Sequence, residues 1–445
     1  MNKKNTTTRP ARSKFTLLHQ LANLIPVHLV PSLGRELGVD LKARTFSLWS
    51  HVVCLLYAQL THALSLNDVA DSLRLHRNKL AALRGATPPS RNGLSHASKE
   101  RDPRLAEQLF WKLTELLQRQ AVGFGKRHWG RRLASRFKRA IHVVDATTIE
   151  LVANCLDWAK HRRRKAAAKT HLRLDLPSML PRFAIVDTAA ENDAKRAREV
   201  CAGIRAGEIV LFDRAYVDFA HLHDLDQREV YWVTRAKKNL SCRVVKRRLR
   251  KPAGKILRDD EIVLKGSKSR QVYPQRLRRV IALVEVDGVE RELSFLTNNM
   301  EWAASTVAEL YRCRWQIEVF FKQIKQTLKL GSFLGHSANA VKWQVWSALI
   351  VYLLLRYQAY VSRWSGSFIR LFALVRGALW ERVDMIDLLG RVCGTAKGSL
   401  RMIATPQQAY LPGMVAIHGT ATAPQSRTSR QARARKLASL FSIPD

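Results

Sequence analysis

Four side chains in the stretch LYRCRWQIEVFFKQIKQ at 310–326 could do chemistry together: Tyr311, Arg314, Glu318 and Lys325. At about 100° per residue of helix, Arg314, Glu318 and Lys325 fall about −60°, −20° and −40° from Tyr311. One carboxylate, two cations and one phenol would then share a narrow stripe. Trp315, Ile317, Val319, Phe320, Phe321 and Ile324 would bury the remaining faces. Two further acids end apolar runs: Asp145 closes IHVVD and Asp213 closes IVLFD. Carboxylates at the C-terminal ends of adjacent buried strands point into the crevice where α/β sheets carry their sites. Three hard oxygen donors on three elements suit two Mg2+ ions, which take carboxylates together with the phosphate oxygens of a substrate. A lone strand-end Asp is more often a cap or turn residue. Three acids beside a Tyr/Arg/Lys stripe point to phosphodiester chemistry instead.

The composition agrees with a polyanionic substrate. The chain has 445 residues, 47% of them hydrophobic, with a formal net charge of +40. Such a length suits about three domains, and such a hydrophobic content argues against wholesale disorder. A charge that large repels itself in a folded chain unless a polyanion shares it, and nucleic acid is the obvious partner. The six cysteines, at 54, 155, 201, 242, 313 and 393, form no C-x-x-C pair. That spacing argues against a structural zinc site or disulfide framework and for a reducing compartment. The basic N-terminus lacks the apolar core of a signal peptide. WSALIVYLLL at 346–355 is too short to span a bilayer and reads as a buried core helix.

The elements that must position these residues follow from periodicity. Residues 1–14 read as a basic flexible arm, and about 15–130 as a helical domain suited to DNA binding. Within it, Ser65 caps two short helical pieces divided near Leu75–Arg77, either a helix-turn-helix or an ordinary helical hairpin. From 139 the order reads strand, strand, strand, helix, strand, helix, strand: 139–152, 170–176, 182–190, 191–206, 208–216, AHLHDLDQ and 230–237. KHRRRKAAAK at 160–169 reads as a basic loop or short helix. Short basic strand-like pieces fill 240–300, a helix spans 305–328, and a further helical region runs over 336–415 before a basic tail at 420–445.

The spacing Tyr311-x2-Arg314-x3-Glu318-x6-Lys325 resembles the YREK signature of bacterial insertion-sequence DDE transposases of insertion-sequence family four, with every residue and gap met. The resemblance extends over roughly 140–355, through VDATTIEL, KTHLRLDL, FDRAYVDF, YWVTRAKKN and RWQIEVFFKQIKQTLKLGSFLGHSANAVKWQ. It implies an α/β, ribonuclease-H-like catalytic domain over 138–335, with a β-strand insertion at about 240–300, a helical domain before it and a helical region after it. Asp145 would lie on the first strand of that domain, Asp213 after the fourth and Glu318 on a late helix, as catalytic acids and metal ligands. Two Mg2+ ions are implied, with Mn2+ able to substitute. The implied activity is cleavage of phosphodiesters at element ends, then attack of the freed 3′-hydroxyls on target DNA. The implied partners are double-stranded DNA, as terminal inverted repeats and as target, and a second copy of the chain in a synaptic complex. No membrane is implied, and the expected location is the bacterial cytoplasm, at the nucleoid.

Tyr311, Arg314 and Lys325 are then assigned to DNA phosphates beside the scissile bond, because phosphoryl transfer needs positive charge near the non-bridging oxygens. Arg314 and Glu318, at i and i+4, could equally form an ordinary helix ion pair. Lys169, His171 and Arg214 are accessory candidates. Of Tyr231 and Trp232, alternation puts one in the core. HRRRK at 161–165 and KRRLRK at 246–251 read as backbone-tracking or simply solvated runs, and SRTSRQARARK at 426–436 as a phosphate-binding segment or plain disorder. Two other functions fit less of the pattern: an inert DNA-binding protein derived from a transposase, and a ribonuclease-H-like nuclease without strand transfer.

Overall fold

The computed structural model describes residues 10–39, 45–125, 137, 139–151, 155, 159–162, 165–188, 193–286, 288–328 and 333–392. The tail at 426–436 lies outside the described residues. Seven helices come first: α1 (Leu17–Ala22), α2 (Leu29–Glu36), α3 (Leu48–Thr61), α4 (Leu66–Leu75), α5 (Arg77–Ala81), α6 (Arg91–Glu100) and α7 (Arg104–Gln120). Ser65 caps α4 as its sequence predicts. Its hydroxyl accepts from the Asp68 N–H at 3.1 Å while the Asp68 carboxylate accepts from the Ser65 N–H at 2.9 Å. The second piece, α5, has only five residues, little more than one turn, which favours the hairpin reading over a groove-reading pair.

One sheet then organises the chain. Its strands are β1 (Ile141–Leu151), β2 (Lys160–Arg162), β3 (Lys165–Asp175), β4 (Leu180–Thr188), β5 (Ile209–Phe212), β6 (Tyr231–Arg235), β7 (Cys242–Arg247), β8 (Ile256–Leu264), β9 (Leu277–Val286) and β10 (Val289–Thr297). They run in the order β2-β3-β1-β5-β6-β10-β9-β8-β7, with β4 also paired to β3. β1, β5 and β6 are parallel and the other pairings antiparallel. Helices α8 (Asp193–Val200) and α9 (Phe219–Gln227) return the chain to β5 and β6.

Two expectations change here. The run at 160–169 is neither loop nor helix; it supplies β2 and the start of β3. The stretch 240–300 is not a set of short pieces. It makes strands β7 to β10 and one short helix, α10 (Ser267–Val272), and β10 pairs antiparallel with β6, so the presumed insertion prolongs the same sheet. The β10–β6 pairing, which sets Phe295 against Arg235, joins residues too far apart in sequence to leave a local trace in composition.

Strand alternation gives the sheet two buried faces. Ile141, Val143, Leu172, Leu174, Ile209, Leu211, Val233 and Phe295 share one core with α11 (Ala304–Cys313), α12 (Trp315–Lys322) and the N-terminal helices. Val144, Val210, Phe212, Trp232 and Leu296 belong to the other, beneath α8 and α9. Trp232 is the core member of its pair with Tyr231. Behind the first face runs α13 (Ala338–Val361), followed by α14 (Phe368–Gly377) and α15 (Met385–Val392). By length and composition α13 could cross a membrane, but 83% of its most apolar window is buried in this fold, as a core helix is. Its Tyr352 donates to the Met179 carbonyl at 2.9 Å and its Trp343 to the Arg101 carbonyl at 3.0 Å, so it ties sheet and N-terminal helices together.

Candidate active site

Parallel register brings two of the acids together. Ile141 pairs with Ile209 and Val144 with Phe212, so the same offset sets Asp145 beside Asp213. Alternation from Val143 and Leu211 turns both toward the face that carries α11 and α12. Asp145 does not close its strand. It is the fifth residue of an eleven-residue β1, which continues past β5 in antiparallel pairing with β3. It therefore stands where the parallel pairing ends. Asp213 directly follows β5, the fifth strand rather than the fourth once the short β2 is counted, and opens a 3-10 turn at Arg214–Tyr216.

The helix that faces them is less regular than the sequence predicts. α11 ends at Cys313, Arg314 stands at the junction, α12 runs to Lys322, and Gln323–Thr327 form a π-turn. The Arg314 N–H bonds to the Tyr311 carbonyl at 3.0 Å, a tightened i−3 contact. At the other end the Leu328 N–H reaches the Gln323 carbonyl at 3.3 Å. Gln59 of α3 and His62, which caps its C-terminus, meet the Leu328 and Thr327 carbonyls, the latter at 2.6 Å, so the first helical region holds the end of the π-turn. Sequence reasoning missed both residues, for their role depends on a contact across more than 260 positions. Trp315 and Val319 do not help bury this helix; they are 53% and 42% exposed beside the acids.

Three of the four side chains of the stripe reach across to β1 or to the residue that follows β5, and Glu318 joins them through Arg314. Tyr311, 8% exposed, donates from its hydroxyl to Asp213 Oδ1 at 3.0 Å. Arg314 donates from Nη1 to Asp145 Oδ2 at 3.3 Å and from Nη2 to Glu318 Oε1 at 2.8 Å. It thus makes the i,i+4 pair and a cross-element bridge at once. Its Nε is buried with no acceptor among the protein atoms. Lys325 Nζ donates to the Thr148 carbonyl of β1 at 2.6 Å.

Electrostatics sets these groups apart. Burial pushes the Asp145 carboxyl up to about 6; the Ala146 N–H and Arg314 oppose the rise, and Asp213 and Glu318 add to it. Burial also lifts the Tyr311 hydroxyl to about 12, so it remains a donor at neutral pH. Burial alone would lower Arg314, but Tyr311, Asp145, Asp213 and Glu318 outweigh it and raise its pKa.

Among the described residues no three acidic, histidine or cysteine side chains converge closely enough to hold a metal ion as they stand. The donor set nevertheless suits a divalent cation. Asp213 and Glu318 add their repulsion to the rise that burial imposes on Asp145, and a cation among the three carboxylates would relieve it. Asp145, Asp213 and Glu318 are the residues that could hold it.

The accessory candidates divide. In the β1–β3 register His171 faces Ala146 and Lys169 faces Thr148, one residue out of phase with Asp145, so both leave the sheet on the opposite face. His171 is fully buried there, its Nδ1 3.3 Å from the Tyr216 hydroxyl. Arg214 is exposed, next to Asp213. Tyr216, 1% exposed, props the turn after Asp213 from below. The only signal for it was its position three residues beyond an acid. In the run at 246–251, Lys246 and Arg247 are exposed on β7, the outermost strand, and Arg248, Arg250 and Lys251 just beyond it, while Arg248 also bonds to Glu261 at 3.2 Å.

Comparison with known proteins adds a separate line. Residues 136–354 match the model of the Transposase DDE domain, and residues 13–83 match a domain of unknown function (DUF4372). A candidate transposase of Sinorhizobium fredii, y4zB, is 33% identical over 300 residues, which cover 67% of this chain and 79% of that protein. A protein named as the transposase for insertion sequence element IS5377 of Geobacillus stearothermophilus is 29% identical over 228 residues, 51% of this chain and 58% of its own. The solved synaptic complex of piggyBac transposase with hairpin DNA overlaps at a TM-score of 0.40 and 10% identity, over 84% of this chain and 83% of that one.

Proposed function

The chain belongs to the DDE transposases of bacterial insertion sequences, and on that premise we propose that Asp145, Asp213 and Glu318 are its catalytic acids. One observation carries the assignment. The β1–β5 register sets Asp145 beside Asp213, and Arg314 links Asp145 to Glu318 on the facing helix. The strand order β4-β3-β1-β5-β6, with β3 antiparallel to β1, supports a ribonuclease-H-like reading of the mixed α/β sheet.

The three carboxylates would hold divalent cations, Mg2+ in the first instance, with Mn2+ able to substitute. When bound, such ions supply Lewis-acid activation of the attacking hydroxyl and charge neutralisation at the leaving oxygen. The chain's own groups do the rest. Tyr311 orients Asp213 through its hydroxyl. Arg314 and Lys325 bring positive charge to the phosphates flanking the scissile bond, where it counts most in a partly buried crevice. The proposed reaction is cut-and-paste: hydrolysis at the element's terminal inverted repeats, then 3′-hydroxyl attack on target DNA. A pair of protomers would bring two ends together in the bacterial cytoplasm. The domains at 15–130, 138–335 and 336–415 remain the proposed division of labour, with end recognition assigned to the first.

A Mg2+ titration of end cleavage tests this. Wild-type protein should nick a duplex carrying the element's terminal repeat, and Glu318→Gln should bind the duplex yet cut it more than about a thousandfold more slowly. A Glu318→Gln protein that still cuts at the wild-type rate would remove the third acid from the site.

A further inference from the structure

We propose that Arg314 is the resident counter-ion of the acid cluster in the DNA-free protein, and that a divalent cation must compete with its guanidinium for Asp145 and Glu318. The inference rests on the reading of those acids as metal ligands and adds a regulation of the same site. Arg314 is 11% exposed and spans the two carboxylates with separate nitrogens, at 3.3 Å and 2.8 Å. A guanidinium can do this because its donors form a planar fork; an ammonium is a point donor and reaches one acid at a time. Among the described residues no three such acids stand converged for an ion, and the guanidinium lies between two of them. A buried cation moves away only if another group takes its place on the acids and it finds a new anion itself. A divalent ion provides the first and a DNA phosphate the second. The Nε of Arg314, buried without an acceptor among the protein atoms, is a further donor for that phosphate. Metal and DNA would therefore favour one another's binding, each releasing what the other needs. The charge stripe becomes a latch: acids closed on Arg314 without DNA, and opened when metal and backbone arrive together.

Calorimetric titration of the full-length, DNA-free protein with Mn2+ tests the competition. Arg314→Lys keeps the charge but cannot bridge both acids, so it should bind Mn2+ about two- to fivefold tighter than wild type, the range that partly exposed pairs sustain. Glu318→Gln and Asp145→Asn should bind it more weakly than wild type. Equal Mn2+ affinity for wild type and Arg314→Lys, with both acid variants weakened, would overturn the latch and leave the metal ligands standing. Mn2+ binding indifferent to Glu318→Gln and Asp145→Asn would overturn both readings together. Should Arg314→Lys fail to fold, wild type still answers. The Arg314 guanidinium lies 5.8 Å over the Trp315 ring, so its release should shift the fluorescence that distinguishes wild type from Trp315→Phe when Mg2+ and duplex DNA are added together. An unchanged difference spectrum at saturating Mg2+ and DNA contradicts the release.

Discussion

At the scale of single residues, the site is a chain of hydrogen bonds from Asp213 through Tyr311 to Arg314 and on to Asp145 and Glu318. Its members differ in what removing them should do. Tyr311→Phe keeps the ring packed 4.9 Å from Phe295 but strips the donor from Asp213. A hydrogen bond to a charged group is worth about 1.5–3 kcal/mol. Cleavage rates should fall by about ten- to a hundredfold while the melting temperature drops by only a few degrees, which paired kinetics and thermal unfolding would check. Arg314→Ala should weaken binding to end DNA across all sequences and lower the slope of log affinity against log salt by about one; an unchanged slope would count against its phosphate role. Much of this site was legible in the sequence. Asp145 and Asp213 ended apolar runs, and the gaps between Tyr311, Arg314, Glu318 and Lys325 are local helical spacing. Lys169 and His171 were not separable from the site in this way. Their face depends on the β1–β3 register, and a shift of one residue exchanges the two faces.

Elements decide where those residues stand. Helical periodicity predicted one continuous helix over 305–328, yet the chain tightens at Arg314 and widens into a π-turn at Gln323–Thr327. Such deviations are set by what the helix packs on, here β1, β5 and the end of α3, and propensity does not record them. The four strands of 240–300 read as short strand-like pieces rather than full strands for a related reason. β8 carries the acidic run Asp259, Asp260 and Glu261, which reads as a solvated turn until β9 supplies Arg278 and Arg279 opposite. Arg278, 2% exposed, binds both oxygens of Asp259 at 2.8 Å and 2.7 Å and also donates to the Trp302 carbonyl. Removing one partner strands a buried charge, so Arg278→Ala should cost about 3–5 kcal/mol in urea unfolding. Arg278→Met combined with Asp259→Leu should recover most of that loss; a double variant as unstable as the single would contradict the paired-charge account.

For the molecule as a whole, the sheet and α13 form the frame, and its stability carries a pH signature. His221 on α9 is 1% exposed, and neither ring nitrogen has a hydrogen-bond partner among the protein atoms. Burial pushes it down from 6.5 to about 4. The unfolded chain therefore binds a proton that the folded chain refuses between those values. Its contribution is full above pH 6.5 and is lost as pH falls toward 4, by about 3 kcal/mol at 1.36 kcal/mol per unit. His221→Leu should flatten that part of the stability–pH curve, measured against wild type by chemical denaturation. Within the fold, Tyr311 bonds to Asp213 after β5, and Arg314 links Asp145 of β1 to Glu318 of α12, in a chain of net charge +40. The most direct test is end-DNA cleavage in Mg2+ by Asp145→Asn, Asp213→Asn and Glu318→Gln alongside binding of the same duplex. The account predicts that all three bind within a few-fold of wild type and none cuts detectably. Cutting at wild-type rates by any one of them would contradict the three-acid site.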